Sequence, residues 1–346
     1  MIQPGVSVIV PVHNGEPWLD EVFASILAQR DRDSQPFEVV AIDDGSTDRS
    51  AEILARWAAE GHVRVLRSAT RGAAAAMNLG FRDARHSVIC LVDQDVVLRP
   101  GWLAALLPAV LSPRVGAAQG YFVTDPAAPI VSRVAGMDLE QRYAAIGGRT
   151  SHVCTGNSAY RAAALHEVGL FDESFGYGYD NDMSYRLAKA GYELRFCPEA
   201  RSVHRWRETL GGYLTQQYGQ GYGRLDLVAK HPRWFAGDAV SPSIMMLHAP
   251  LMLAALASAV ASPLLWAAGL PWLPCLRLAA ILVCGLAVER GIAGVRAAIR
   301  HRDTAGLLFA PIHVLRDIAW AFAIVAWGVR RLAGRERRPW HSMGQE

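Results

Sequence analysis

An uncharged run of 38 residues, 239–276, constrains the fold of this chain more than any other feature. A membrane-spanning helix needs about 20 apolar residues, and this run is too long for a buried core helix. It predicts spans at residues 243–266 and 271–288, with the turn at the prolines between them. A third apolar stretch, residues 305–329, carries Arg316 and Asp317 at its centre. That stretch is predicted to lie in the membrane interface or to form a third span.

The charges divide the chain into two parts of opposite sign. Residues 239–346 carry 11 Arg and no Lys against 5 Asp and Glu, whereas residues 1–238 have a net charge of −3. By the positive-inside rule, the loop after the second span and the basic tail, residues 333–346, belong in the cytosol. Five cysteines without a C-x-x-C pair predict neither a disulfide framework nor a zinc site.

The N-terminal part alternates β-rich runs with stretches compatible with helix. Strands are expected at residues 6–10, 38–42, 62–66 and 88–92, and helices at residues 18–29, 49–59 and 73–84. This alternation predicts an α/β fold with a mostly parallel sheet and helices on its faces. A further strand is expected at residues 117–123, followed by helices near residues 162–168 and 182–190.

Two of these strands end in carboxylates, Asp43 with Asp44 and Asp93 with Asp95. Ligands of parallel sheets bind at the carboxyl ends of the strands, so these side chains are expected to converge. Turn and capping chemistry explains residues 45–48 well and Asp43 poorly. Asp93-x-Asp95 suits a divalent cation that bridges to substrate phosphates; the alternative is a solvated acidic turn.

A second acidic pair, Asp180 and Asp182, lies where a glycine-rich loop enters a predicted helix. Either residue is suited to be an N-cap. Either is also suited to be a general base that takes the proton of an acceptor hydroxyl. The spacing does not choose between these roles.

Taken together, six motifs in residues 5–205 resemble family-2 glycosyltransferases. They are Val6 to Asn14, Asp43 to Asp48, Arg71-Gly72 with Met77-Asn78-Leu79-Gly80, Asp93-Gln94-Asp95, Thr155-Gly156-Asn157 and Gly178 to Asp182. The resemblance implies a GT-A fold, Rossmann-like, with a nucleotide-diphosphate sugar as donor. It also implies a Mg²⁺ or Mn²⁺ ion and inversion at the anomeric carbon.

The resemblance also implies roles for individual residues. Those expected around the nucleotide sugar are Pro11 and His13 beside the base, Asp43 on the base edge, Asp44 at the ribose, Arg71 and Asn78 near the nucleotide, and Asp93 on ribose or sugar. The metal is expected at Asp95, assisted by His204, for which a surface or structural role is equally open. Gly156 and Asn157 match the loop that meets donor sugar and acceptor.

The resemblance implies that Asp180 is the catalytic base, because it aligns with the second residue of the Glu-Asp pair of the family. This chain departs from the pattern there, since Tyr179 stands where glutamate is usual. The departure leaves Asp182 open as a substitute base.

These observations predict a catalytic domain at residues 1–235 and a hydrophobic membrane module at residues 240–332. The expected activity is transfer of a sugar, with a UDP-sugar as the commonest case, to a lipid-linked acceptor or a cell-envelope glycan. The domain is expected on the cytosolic face of the inner membrane, in contact with lipid and with no nucleic-acid partner. The alternative is a non-catalytic nucleotide-sugar-binding subunit of a glycan assembly complex.

The Gln-rich and Gly-rich residues 216–224 are interpreted as a flexible approach to the membrane or as an acceptor-side loop.

Overall fold

The computed structural model describes residues 4–30 and 35–335, which divide into two units. The first unit contains the described residues up to 125 together with residues 143–205, and the second contains residues 126–142 and 206–335. The predicted division after residue 235 differs from this one, because residues 126–142 and 206–235 pack with the C-terminal helices. The basic tail from residue 336 onwards lies outside the described residues.

Strands and helices alternate through the first unit, and the second unit is helical. The strands are β1 (Val6–Val12), β2 (Phe37–Asp43), β3 (Arg64–Arg67), β4 (Val88–Val92), β5 (Val96–Leu98), β6 (Val115–Val123), β7 (Arg149–Thr150), β8 (Asn157–Arg161) and β9 (Glu193–His204). The helices are α1 (Leu19–Leu27), α2 (Ser50–Ala59), α3 (Ala73–Asp83), α4 (Trp102–Leu111), α5 (Ile130–Tyr143), α6 (Ala162–Val168), α7 (Tyr179–Lys189), α8 (Leu210–Lys230), α9 (Ser243–Ala267), α10 (Leu273–His301) and α11 (Phe309–Leu332).

One mixed sheet of nine strands, in the order β3-β2-β1-β4-β8-β6-β9-β5, forms the core of the first unit, with β7 paired to β9. The first four strands of the order are parallel, and β8 runs antiparallel to both of its neighbours. The predicted α/β class and mostly parallel sheet are confirmed. Because β1, β2 and β4 are parallel neighbours, the residues that follow them meet at one edge of the sheet.

Close packing of α3 on the sheet explains its small residues. A Cβ on Gly80 would stand 2.6 Å from a methyl carbon of Ile9 and 2.8 Å from Ile42. Only a residue without a side chain fits where the helix approaches the sheet so closely. Residues 74–76 are all buried alanines, and Ala74 and Ala76 pack in one core cluster with Ile9 and Ile42.

In the second unit, three helical segments are long and apolar enough to cross a membrane, namely Ser243–Ala267, Leu273–His301 and Thr304–Leu332. Arg316 and Asp317 of α11 are 1% and 0% exposed, respectively. They pair with each other at 3.0 Å, and Arg316 also lies 3.7 Å from Asp138 of α5. Other helices of the second unit, among them α5, therefore enclose these two charges.

Residues 216–224 belong to the helix α8, so the predicted flexibility and the alternative of an acceptor-side loop are both wrong. The Thr209 hydroxyl caps this helix by accepting from the N–H of Gly212 at 3.1 Å. A Cβ on Gly221 would stand 2.8 Å from the Trp320 ring of α11. The glycine allows α8 and α11 to approach closely, and that packing offsets its low helix propensity.

Candidate active site

The first part of the site is the turn after β2, where the two predicted ligands shape the chain. Asp43 Oδ1 accepts a hydrogen bond from the backbone N–H of Ser46 at 3.0 Å. Asp44 Oδ2 accepts from the backbone N–H of Gly72, the residue before α3, at 2.7 Å. Both side chains are buried. The two aspartates therefore stabilise the turn and join it to the start of α3.

Other predicted nucleotide-binding residues surround this turn. Pro11 is the penultimate residue of β1, and His13 follows that strand, with its Nδ1 3.1 Å from the carbonyl oxygen of Asp44. Arg71 Nε lies 3.5 Å from the place that a Cβ on Gly45 would occupy. The fold thus brings Pro11, His13, Arg71 and the two aspartates to one edge of the sheet.

The second part of the site is a cluster formed by Asp93, Asp95 and His204. One ligand atom from each residue lies within 4.8 Å of the others. Asp93 and Asp95 follow β4, whereas His204 ends β9 and is paired with Val96 of β5 in antiparallel register. His204 Nε2 is 3.6 Å from Asp95 Oδ1. The pairing of β9 with β5 therefore places His204 beside the turn that contains Asp93 and Asp95.

This cluster concentrates negative charge in a partly enclosed place. Burial raises the pKa of Asp93 well above its usual range, and the negative charges of Asp95 and Asp180 raise it further. Two carboxylates and an imidazole form a donor set that suits Mg²⁺ or Mn²⁺. A divalent cation would relieve the repulsion between these carboxylates, so the residues fit the implied metal.

The loop before β8 closes on Asp93 from the other side. The Gly156 carbonyl accepts from the N–H of Asp93 at 3.4 Å, and a Cβ on Gly156 would collide with the Asp93 carboxylate. Its φ of 83° also favours glycine. Asn157 is 0% exposed, and its Oδ1 accepts from the Trp102 indole N–H. Gly156 therefore lies against the cluster, whereas the Asn157 amide is directed into the core.

Asp180 lies in the first turn of α7, beside a histidine that no motif indicated. His152 Nε2 is 3.2 Å from Asp180 Oδ2, and Asp180 Oδ1 accepts from the N–H of Asn181 at 2.9 Å. Tyr179 packs edge-on against Phe171 at 6.0 Å between ring centroids. The segment of residues 152–156 contacts both carboxylates, Asp180 through His152 and Asp93 through Gly156, so Asp180 lies near the cluster.

Asp182, the other candidate base, has a different environment. Its carboxylate is 0% exposed and accepts from Arg186 Nε at 2.8 Å, one helical turn later. The same guanidinium donates to the carbonyls of residues 168–170. Asp182 therefore anchors the arginine that holds the chain before α7.

Asn78 also has a packing role rather than an open position at the edge. It is 1% exposed, its Nδ2 donates to the Phe171 carbonyl, and its Oδ1 accepts from the Phe171 N–H, both at 2.9 Å. Nδ2 also donates to Glu173 at 2.7 Å. These bonds hold α3 to the segment before α7.

Two residues at the site escaped the sequence analysis. Gln94, between the two aspartates of the D-x-D, accepts from the N–H of His13 at 2.7 Å and donates to its carbonyl at 2.9 Å. It therefore continues the β1–β4 pairing beyond the strands. The position of Gln94 within the D-x-D motif could have identified it as a residue of the site. No signal existed for His152, which is 28 residues from Asp180 in sequence.

Comparison with known proteins agrees with this geometry. Residues 7–169 match the model of the family described as glycosyl transferase family 2. A pre-mycofactocin glycosyltransferase of Mycobacterium tuberculosis is 29% identical over 251 residues, which cover 70% of this chain and 51% of that protein. The chain thus spans about half the length of that relative. An N-acetylglucosaminyltransferase of Sinorhizobium fredii is 26% identical over 367 residues, covering 99% of this chain and 84% of the relative.

A solved structure is similar over most of the chain. It is a mannosyltransferase from Pyrobaculum calidifontis in complex with GDP-mannose and Mn²⁺, with 22% identity and a TM-score of 0.61. The similarity covers 96% of this chain and 88% of that one, and it supports a GT-A fold. Residues 7–169 are therefore similar to the members of glycosyl transferase family 2, in agreement with the resemblance of the sequence motifs.

Proposed function

We propose that this protein transfers a sugar from a nucleoside-diphosphate donor to a hydroxyl acceptor, with a divalent cation and with inversion at the anomeric carbon. The observation that carries the proposal is the grouping of Asp93, Asp95 and His204 within 4.8 Å at the carboxyl edge of the sheet. Asp180 lies near this group, so one site contains both a cation-binding set and a separate carboxylate. Inverting transfer needs both.

In this proposal, Asp95 and His204 would hold the Mg²⁺ or Mn²⁺ ion, and Asp93 would contact the ribose or the sugar of the donor. The bound ion would neutralise charge on the departing diphosphate. The donor base and ribose lie against Pro11, His13, Asp43, Asp44 and Arg71, which line the neighbouring part of the edge. Gly156 lets the Asp93 carboxylate approach, because any side chain there would displace it.

Asp180 is the proposed general base. The acceptor oxygen forms a bond to the anomeric carbon as the bond from that carbon to the diphosphate oxygen breaks. The acceptor proton moves to the Asp180 carboxylate. Asp180 Oδ1 accepts from the Asn181 N–H, and Oδ2 accepts from His152 when Nε2 carries the proton, which leaves a lone pair on each oxygen for the acceptor proton. Asp182 is less suited, since its carboxylate is fully enclosed beside Arg186.

The acceptor is proposed to be lipid-linked or a cell-envelope glycan at the cytosolic face of the inner membrane. The support is the set of three helical segments in the second unit that are long and apolar enough to cross a membrane. Attachment to the membrane raises the local concentration of such an acceptor. The test below identifies the sugar and the nucleobase of the donor.

The test is a donor screen with the full chain in membranes. UDP-glucose, UDP-N-acetylglucosamine, UDP-galactose and GDP-mannose are incubated with Mn²⁺ or with excess EDTA. Release of nucleoside diphosphate and labelling of the lipid fraction are measured. We expect one donor to be consumed in Mn²⁺ and spared in EDTA. Saturable binding of a donor without any release would instead favour the non-catalytic nucleotide-sugar-binding subunit.

A further inference from the structure

The contact between His152 and Asp180 has no counterpart among the motifs of the sequence. The imidazole is 6% exposed, and its Nε2 is 3.2 Å from Asp180 Oδ2. His152 lies between β7 and β8, whereas Asp180 lies on α7. The pair therefore joins two separate segments of the first unit.

Side chains hold the chain around His152 at three successive backbone N–H groups, and two of these side chains, Gln119 and Ser184, are buried. The N–H of His152 donates to Thr150 Oγ1 at 3.2 Å, and that of Val153 donates to Ser184 Oγ at 2.9 Å. The N–H of Cys154 donates to Gln119 Oε1 at 2.8 Å. Buried hydrogen bonds of this kind allow few alternative positions for the segment.

One of these bonds connects the segment directly to the base. The Ser184 hydroxyl, which accepts from Val153, donates to the backbone carbonyl of Asp180 at 2.8 Å. Ser184 is 1% exposed. The backbone positions of residues 153 and 180 are therefore linked through one side chain. The separation of the His152 ring from the Asp180 carboxylate is set by this scaffold.

We propose that His152 is the positioning residue of the catalytic base, and this inference rests on the proposed function. With a proton on Nε2, the ring donates to Asp180 Oδ2, and the N–H of Asn181 donates to Oδ1. Two donors in fixed places hold the plane of the carboxylate. The directions of the remaining lone pairs are then fixed, and one of them must face the acceptor hydroxyl for the proton to be transferred. Rotation of the carboxylate would remove that alignment.

Two substitutions separate this role from simple packing. His152→Leu keeps an apolar side chain of medium size but removes the donor. His152→Gln keeps an N–H donor near the place of Nε2. If His152 only fills space, the two variants differ little in activity. If it positions the base, glutamine restores most of what leucine loses.

The experiment measures steady-state kinetics of the full chain in detergent, with the donor that the screen selects. We expect His152→Leu to lower kcat by about tenfold or more with the donor KM changed by less than about twofold. His152→Gln is expected to keep at least about a third of the wild-type kcat. In an Asp180→Asn background, His152→Leu is expected to add less than about a twofold loss, because it acts through Asp180.

His166→Leu is the matched control, since His166 is exposed on α6 and its loss is expected to leave kcat unchanged. Thermal unfolding of each variant confirms that it is folded. Three results would each overturn the role of His152 but leave the proposed function standing. They are equal losses of kcat in the Gln and Leu variants, a fully additive loss with Asp180→Asn, and an unchanged kcat in His152→Leu. A wild-type chain that consumes no donor would overturn the proposed function itself, and with it the role of His152.

Discussion

At the scale of single residues, two carboxylates in the first turn of α7 have different surroundings. Asp180 is partly exposed and bonded to a histidine, whereas Asp182 is enclosed and paired with Arg186 at 2.8 Å. A general base must reach the proton of its substrate, so accessibility favours Asp180. A buried carboxylate paired with arginine is typical of a structural anchor.

We expect Asp180→Asn to lower kcat by about 10²-fold or more while donor binding stays nearly intact. Asp182→Asn is expected to reduce kcat less and to destabilise the fold by about 3 kcal/mol, since it leaves Arg186 without its buried partner. Steady-state kinetics and thermal unfolding of both variants measure these effects. The opposite ranking of kcat would transfer the base role to Asp182, and loss of donor binding in both would mean that the turn is structural.

Among the elements of the second unit, α5 is attached to the other helices through Asp138. Its carboxylate lies 3.2 Å from Arg142, 3.7 Å from Arg290 of α10 and 3.7 Å from Arg316 of α11. Burial alone raises the pKa of Asp138, but the neighbouring positive groups outweigh it and hold this pKa well below its usual range. Asp138 is therefore the common partner of three arginines.

We predict that Asp138→Asn lowers the free energy of unfolding by about 3 kcal/mol, because three guanidinium groups lose a shared buried anion. The control is Glu289→Gln, whose side chain is 40% exposed and pairs with Arg290 alone among the arginines of this cluster. It is expected to cost less than about 1 kcal/mol. Thermal unfolding in detergent compares the two, and equal effects would contradict the central role of Asp138.

The sign of the Asp138 shift also sets a pH dependence. A carboxylate with a lowered pKa in the folded state contributes stability above its unfolded pKa, near 3.9, and loses it as the pH falls toward the folded value. The stability difference between wild type and Asp138→Asn should therefore be constant from about pH 5 to 7 and shrink below about pH 4. A difference that is unchanged at pH 3 would contradict this assignment.

Sequence and structure agree where local patterns determine the outcome. The strands that became β1, β2 and β4 are short apolar runs buried on both sides, and their periodicity predicts them without tertiary information. The D-x-D and the acidic turn after β2 follow from the same pattern, since residues after parallel strands share an edge. Local pattern therefore indicated where the candidate site lies.

Features that depend on distant partners were not predictable. The α8 helix contains glycines that suggest flexibility, and the contact with Trp320 explains one of them, Gly221. The charges of Arg316 and Asp317 needed partners, but Asp138 lies 178 residues before Arg316. His152 approaches Asp180 only through the fold. In each case the partner is specified by packing between segments that no motif connects.

At the scale of the whole chain, the helices of the second unit bear on how it meets the membrane. The middle of α11 packs against α9 and α10, where Ala321 clusters with Met252 and Leu286. Towards its end α11 contacts the polar helix α8, where Asp226 accepts from the Trp327 indole at 2.9 Å. A polar helix is poorly suited to the hydrocarbon region. We therefore expect α9 and α10 to cross as a hairpin while α11 lies in the interface.

Single cysteines in a background without the five native ones test this topology in intact cells. Ala268→Cys, in the turn between α9 and α10, should react with a membrane-impermeant thiol reagent. Ala333→Cys, after α11, should react only once the membrane is permeabilised. Prompt labelling at residue 333 would show that α11 crosses, and protection at both positions would show that the hairpin does not.

One comparison tests whether this site transfers sugar from a nucleotide donor by means of a cation at the D-x-D motif. Release of nucleoside diphosphate is measured for wild type and for Asp95→Asn with the donor selected by the screen, across a Mn²⁺ titration. Asp95 ligates the proposed cation, so its loss should lower kcat by about 10²-fold or more while the protein remains folded. Turnover by Asp95→Asn at the wild-type rate, or wild-type turnover that persists in excess EDTA, would contradict the account.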